Sequence, residues 1–208
     1  MQLGIISLEE EEPDLHRITE LLEIINDQTI RVAKLVDNIR KISNIEDEDQ
    51  SLTKLDLCKY LKKAIRSIRD SNKSRELEIQ IHSNIKKAYI NANSFIEDLF
   101  ENILINAIKY NDSSIIKIDI SIQNFMQDHK NYIRLEFEDN GIGIENSRKA
   151  RIFEPLNSQN KSSNGLGVGL SLVKKILENY NGKIWVENKV QNDYSKGSKF
   201  IMMIPKAK

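Results

Sequence analysis

The sequence predicts an α+β fold: a two-layer sandwich with helices on a mostly antiparallel sheet, preceded by one long amphipathic helix. Three observations predict it. Apolar residues recur at alternating spacings of three and four from position 15 to position 42. Short β-patterned runs and capped helical runs then alternate from 52 to 204. Two glycine-rich turns, D-N-G-I-G-I (139–144) and G-L-G-V-G-L (165–170), interrupt that alternation.

The first helix is read over residues 15–46. Leu15, Ile18, Leu22, Ile25, Val32, Val36 and Ile39 form one stripe, with Thr29 filling the gap. Leu21, Leu35 and Ile42 widen it beyond a two-stranded seam, toward the width that a four-helix bundle buries. Pro13 and Asp14 mark its start, and the acidic run after Ile45 marks its end. At ~1.5 Å per residue the helix is about 45–50 Å long, too long for a small globule and too amphipathic to stand alone. It needs partner helices, most simply from a second copy of the chain. The expected division is a helical region at 1–47 followed by a globular domain at 48–208.

Within that domain, 52–55 reads as a strand. Asp56 caps a helix whose apolar positions are Leu57, Leu61, Ala64, Ile65 and Ile68. Leu77, Ile79 and Ile81 alternate as a strand, and a short one follows at 88–91. Asn93 or Ser94 caps a helix running through Tyr110. Residues 116–122 and 133–137 predict a hairpin, 170–177 a helix, and 183–187 and 200–204 two closing strands.

Composition narrows the function. The 208 residues are 39% hydrophobic, enough for a core, and Lys plus Arg and Asp plus Glu both total 31. With no net charge there is no field to draw in nucleic acid or an anionic membrane. The basic residues between Lys59 and Arg75 read as a solvated helix face. The one cysteine, Cys58, rules out an internal disulfide and fits a reducing compartment. No run approaches the ~20 apolar residues of a membrane span, so the chain is expected in the cytoplasm, alone or as part of a larger receptor.

Three polar motifs carry the chemistry. Asn102, Asn106 and Lys109 fall on one helix face, while Leu99, Ile103 and Ile108 fall on the other. An Asn oxygen can hold Mg²⁺ and a lysine can meet a phosphate, although the same spacing also describes the polar face of any amphipathic helix. Asp139 ends a strand just before Gly141 and Gly143. Its carboxylate can accept a hydrogen bond from an exocyclic amine such as that of adenine, and the alternative reading of D-N-G is a hairpin turn. G-L-G-V-G-L opens a helix, which would aim unpaired amides at a phosphate. The Ser- and Asn-rich segment 156–164 before it has the composition of a lid. Together the motifs call for a nucleoside triphosphate with its magnesium.

In this order the motifs resemble the N, G1, F and G2 boxes of the ATP-binding domain of sensor histidine kinases, within the superfamily of gyrase, mismatch-repair and chaperone ATPases. The ending N-G-K-I-W-V-E-N, K-G-S-K-F and Ile204-Pro205 is similar to that family's closing strands, so the resemblance covers about 52–205. It implies the family's Bergerat-type ATP-binding fold and a reaction that transfers the γ-phosphoryl of Mg·ATP to a histidine. Residue by residue it implies that Asn106 holds Mg²⁺, that Asn102 and Lys109 meet phosphates, and that Tyr110 borders the nucleotide. Asp139, with Ser198 nearby, would read adenine beside Gly141, Gly143 and Ile144. Gly165, Leu166, Gly167, Val168, Gly169 and Leu170 would form the nucleotide-binding hinge under the lid. The family also implies a response regulator as partner. Helix 15–46, ending I-S-N-I-E, resembles the second helix of a kinase dimerisation hairpin.

Two departures matter. Hydrolases and the serine-kinase branch of the superfamily carry a glutamate general base where this chain has Asn102, which suits an enzyme that spares the γ-phosphate for a protein acceptor. The family's phosphoacceptor motif H-E-x-x-x-P is missing: after His16 the acid and proline places hold Arg17 and Leu21. His16 is a weak acceptor candidate, and His82 and His129 are weaker. The acceptor is therefore expected from another segment or another chain. A non-catalytic ATP-responsive dimerising module and a serine kinase of the same superfamily are the alternatives.

Overall fold

The computed structural model describes residues 15–46, 51–154 and 168–208. In chain order the elements are α1 (Leu15–Glu46), β1 (Thr53–Asp56), α2 (Leu57–Ser71), β2 (Glu76–Ser83), β3 (Tyr89–Ala92), α3 (Phe95–Lys109), β4 (Ile115–Gln127), β5 (Lys130–Asp139), α4 (Val168–Asn179), β6 (Lys183–Val190) and β7 (Asp193–Pro205). Two compact units divide the chain at Asp37 and Asn38. The boundary falls inside α1, ten residues ahead of the one that composition suggests, because Asn38 and Ile45 are buried within the second unit. Lys41 pairs there with Asp98 of α3 at 2.5 Å. In the first unit the α1 stripe is exposed at Leu15, Ile18, Leu22, Ile25, Val32 and Val36.

The second unit is built on a five-stranded sheet of order β2-β4-β5-β7-β6. β2 and β4 are parallel, and the other three pairs are antiparallel. Strand periodicity explains its one-sidedness. Rows such as Ile120–Phe137–Phe200 and Ile122–Leu135–Met202 lie side by side and are buried. The intervening positions on the other face carry Arg134–Glu136 and Lys199–Glu138 ion pairs. β4 and β5 form the expected hairpin, turning at Asp128 and His129 with φ of 49° and 59°, the paired left-handed conformation of a tight two-residue turn.

α3 packs between α2 and α4. That position explains why it is apolar on both sides, with Leu99, Phe100, Ile103, Leu104 and Ile108 buried and Phe100 against Phe137. β1 and β3 make a second, two-stranded antiparallel sheet. It brings Asp56 to Ala88, and Asp56 Oδ1 accepts both from Cys58 N, as the cap of α2, and from Ala88 N. At α3, Ser94 occupies the capping position without a side-chain bond, and Asn93 Oδ1 accepts from Phe95 N instead.

The basic face of α2 is more than solvated charge. Arg69 donates to the Ile79 carbonyl on edge strand β2, and Arg75, just beyond the helix, donates to the carbonyls of Ile108 and Asn111. Among the described residues no helix is long and apolar enough to cross a membrane.

Candidate nucleotide-binding site

The first two motifs meet at the C-terminal end of α3. Its last turn presents Asn106 and Lys109, and Tyr110 N caps the helix on the Asn106 carbonyl at 3.1 Å. The Lys109 ammonium lies 4.9 Å from the centre of the Tyr110 ring. Tyr110's own carbonyl accepts from Ile142 N at 3.1 Å. A Cβ on Gly141 would collide with that same carbonyl, so the turn after β5 can close on α3 only with glycine at 141.

Asp139 ends β5 as a buried carboxylate. Its Oδ1 accepts from Gly141 N at 2.8 Å and from Ser198 N at 3.1 Å. Both bonds fall on Oδ1, and among the described residues no donor reaches Oδ2. Desolvation pushes the Asp139 carboxyl above its ordinary value of 3.8, and the amides of Gly141 and Ser198 pull the other way. The D-N-G segment is therefore not the turn of a hairpin. β5 pairs with β4 and β7, and the described residues just after the loop, 145–154, form no strand that pairs back on it. Gly143 is left-handed, with φ of 71°, and lies against the Tyr194 carbonyl, while Gly197 at φ 108° lies against the Asp139 carbonyl. Neither position has room for a Cβ.

The third motif meets the first at Asn102. A Cβ on Gly169 would stand 2.7 Å from Asn102 Oδ1, so α4 begins directly against the middle of α3. The Asn102 side chain is buried there, with Nδ2 donating to the Asp98 carbonyl at 2.8 Å. Val168 is buried, and Leu170 packs on the core. Phe153, from R-I-F-E-P, sits edge-on to Phe200 with centroids 6.3 Å apart.

Of the residues singled out from the sequence, Asn102, Asn106, Lys109, Tyr110, Asp139, Gly141, Gly143, Ile144, Val168, Gly169, Leu170 and Ser198 are described. The described ones are joined by the contacts above or by their neighbours in the chain. Gly165, Leu166, Gly167 and the segment 156–164 lie outside the described residues. Ser198 takes part through its amide. His16 is exposed and paired with Glu20 at 3.4 Å, His82 pairs with Asp119 at 3.0 Å, and His129 sits in the β4–β5 turn. Gly197, Asn111 and Asn140 escaped the sequence reading. K-G-S in a closing strand could have flagged Gly197, but no spacing flags the two asparagines.

The residues present fit ATP and its magnesium. Asp139 Oδ2 offers an acceptor beside backbone stripped of Cβ, and the Asn106 side chain makes no hydrogen bond among the described residues. No cluster of three or more His, Cys, Asp or Glu occurs among them, and the Asn106 side-chain oxygen is one that could hold a magnesium ion together with phosphate and water oxygens.

Comparison with known proteins identifies the family of the fold. The model of the histidine kinase-, DNA gyrase B-, and HSP90-like ATPase family matches residues 91–208, more than half of the chain. The chain belongs to that family, and its sheet and helices form the ATPase domain that histidine kinases carry. It is 33% identical over 176 residues to cyanobacterial phytochrome B of Nostoc sp., covering 83% of this chain and 22% of that protein. An uncharacterized sensor-like histidine kinase of Porphyra purpurea is 29% identical over 190 residues, covering 83% and 28%. The chain thus spans between a fifth and a third of these relatives. Among solved structures it is similar to the Acinetobacter baumannii histidine kinase AdeS, with a TM-score of 0.68, 23% identity and coverage of 95% and 87%. It is also similar to histidine kinase ThkA in complex with the response regulator protein TrrA, with a TM-score of 0.71, 22% identity and coverage of 95% and 53%.

Proposed function

We propose that this chain is the catalytic core of a two-component sensor kinase, which binds Mg·ATP and passes the γ-phosphoryl group to a histidine supplied by another segment or another chain. One observation carries the reading: the motifs at 102–110, 139–144 and 168–170, far apart in sequence, close on one another through Tyr110 with Gly141 and Ile142, and through Asn102 with Gly169.

Each residue then has a task. Asp139 accepts from the adenine amine through Oδ2, and the amides of Gly141 and Ser198 hold its other oxygen in place. Lys109 and Asn102 serve the phosphates, and the first amides of α4 face them with the favourable end of the helix dipole. Asn106 holds the magnesium, which neutralises phosphate charge when bound. An imidazole nitrogen of the acceptor attacks the γ-phosphorus in line, the bond to the β-bridging oxygen breaks, and ADP leaves. Asn102, an amide, offers no carboxylate to take a proton from water, so hydrolysis does not compete. The phosphohistidine would in turn supply a response regulator, the partner seen with ThkA. The exposed stripe of α1 would pair two copies. The one cysteine, buried and unpaired at Cys58, suits the reducing interior of a cell.

Incubation with γ-labelled ATP, with and without an added protein bearing an H-E-x-x-x-P helix, tests the reading. Acid-labile label on the added helix alone is expected. Acid-stable label, or rapid steady-state phosphate release by the chain alone, would overturn it.

A further inference from the structure

Asn140 lies between the adenine-reading Asp139 and the tight Gly141, yet its side chain turns away from both. Its Oδ1 accepts from Asn111 Nδ2 and from Lys117 N, each at 2.8 Å, and its Nδ2 donates to the Ile115 carbonyl at 3.0 Å. Two donors face one atom and a carbonyl faces the other, which fixes the orientation of the amide. Ser113 Oγ reaches the Asn140 carbonyl at 3.3 Å, and Asn111 Oδ1 accepts from Ser113 N at 3.0 Å. Asn111 is buried, and its carbonyl is held by Arg75 at 2.7 Å. One side chain therefore ties the turn after β5 to the segment following α3 and to the first residues of β4.

The consequence lies in what stands on either side. Asp139 precedes Asn140, and Tyr110, whose carbonyl receives Ile142 N, precedes Asn111. The Asn140–Asn111 bond and the Ile142–Tyr110 bond form a two-point clasp between the adenine-reading loop and the end of the helix that carries Asn106 and Lys109. We propose that Asn140, seated on Asn111, is a positioning residue for base recognition. It holds the Asp139 carboxylate at the register where Oδ2 meets the adenine amine while the phosphates rest on α3. The proposal rests on the nucleotide reading above and adds to it the residue that sets base selectivity without touching the base. Hydrogen-bond count supports the assignment: replacing Asn140 by alanine deletes three bonds, all to groups outside its own loop, while Asp139 keeps both of its amides.

The test compares ATP with inosine triphosphate, which lacks the exocyclic amine, on the whole chain. The unmodified protein is expected to prefer ATP. Asn140→Ala should weaken ATP about five- to tenfold and leave inosine triphosphate within about twofold, so that the preference collapses. Asn111→Ala, a milder change, should move the ratio the same way, and the double variant should lose little more than Asn140→Ala alone. Thermal unfolding without nucleotide monitors the fold, and Asn111→Ala serves if Asn140→Ala does not fold. Equal losses for both nucleotides would mean a purely structural role and overturn the proposal. So would an unchanged ratio in both variants while Asp139→Asn abolishes the preference, leaving the nucleotide reading intact. A protein that binds neither nucleotide removes that reading and this proposal with it, and one that binds both equally removes the adenine role of Asp139 and with it this proposal.

Discussion

Asn102 and Gly169 meet so closely that a methyl group on the glycine would stand 2.7 Å from Asn102 Oδ1. The amide cannot easily retreat, because its nitrogen is held on the Asp98 carbonyl. Helix propensity favours alanine over glycine by up to ~1 kcal/mol, whereas forcing an extra methyl into a tight contact costs about 1–3 kcal/mol. The clash wins. Gly169→Ala should lower the unfolding midpoint and weaken ATP about tenfold, since α4 must back away from the site. Titration of a fluorescent ATP analogue and thermal unfolding measure both, and an unaltered affinity would show that this contact does not set the site.

Asp139→Asn should cost ~1.5–3 kcal/mol of ATP binding, more than tenfold in affinity, because a neutral amide replaces the charged acceptor proposed for the adenine amine. The pH dependence has two signs. For binding, the ionised carboxylate is the better acceptor, so affinity should fall as acidification passes the raised value of Asp139 in the free protein, above 3.8. For stability, a raised folded value means that the group favours folding fully below its unfolded value, and that this contribution is lost as pH rises through the folded one. Affinity measured between pH 4 and 8, beside the profile of Asp139→Asn, which keeps the titration of the ATP phosphates and of other side chains, isolates the part due to this carboxyl.

Most of the fold was legible because it is written in periodicity. The 2-residue alternation of β4 and β5 and the apolar spacing of α2 each encode which face is buried, and the structure differs mainly at element ends. Asp56 was readable as a cap, whereas Asn93 taking the role from Ser94 depends on how the chain enters α3. The parallel pairing of β2 with β4 was not legible, since register between distant strands leaves no local mark. At the site, glycines announced close approach, as at Gly141 and Gly169. Asn111 and Asn140 were silent, because their meaning lies in a contact between segments 29 residues apart.

Asp56 serves two masters, and its loss should be felt in both. Its Oδ1 takes Cys58 N at the start of α2 and Ala88 N just before β3. Cap removal alone costs typically ~1 kcal/mol, and a second partly buried amide left without a partner adds about as much. Asp56→Ala is expected to cost about 2 kcal/mol in urea unfolding with an unchanged slope. Asp56→Asn should recover most of it, since the same oxygen remains.

ATP turnover by the chain alone should be slow. A general base contributes typically 10²–10⁴-fold, and Asn102 has none to offer. Phosphate release is therefore expected about that far below a family hydrolase carrying glutamate at this place, with Asn102→Glu raising it. Release from the unmodified chain at hydrolase rates would mean that another group activates water.

Leu15, Ile18, Leu22, Ile25, Val32 and Val36 are all exposed on about the first six turns of α1, with Leu22 and Val36 each 59% accessible. A stripe this wide matches a four-helix bundle, yet two copies of this helix supply only two members, so part of the apolar surface stays wet at ~25 cal/mol per Å² of burial forgone. Self-association is therefore expected but weak, visible as a concentration-dependent sedimentation coefficient. Leu22→Lys together with Val36→Lys places four like charges in the two-copy interface and should abolish it. Both positions lie in the unit that ends at Asp37, outside the one that holds the residues proposed to bind nucleotide, so ATP affinity should stay within about twofold. A double variant that still associates would place the dimer contact elsewhere. One that also loses ATP would show that pairing of α1 and nucleotide binding are coupled.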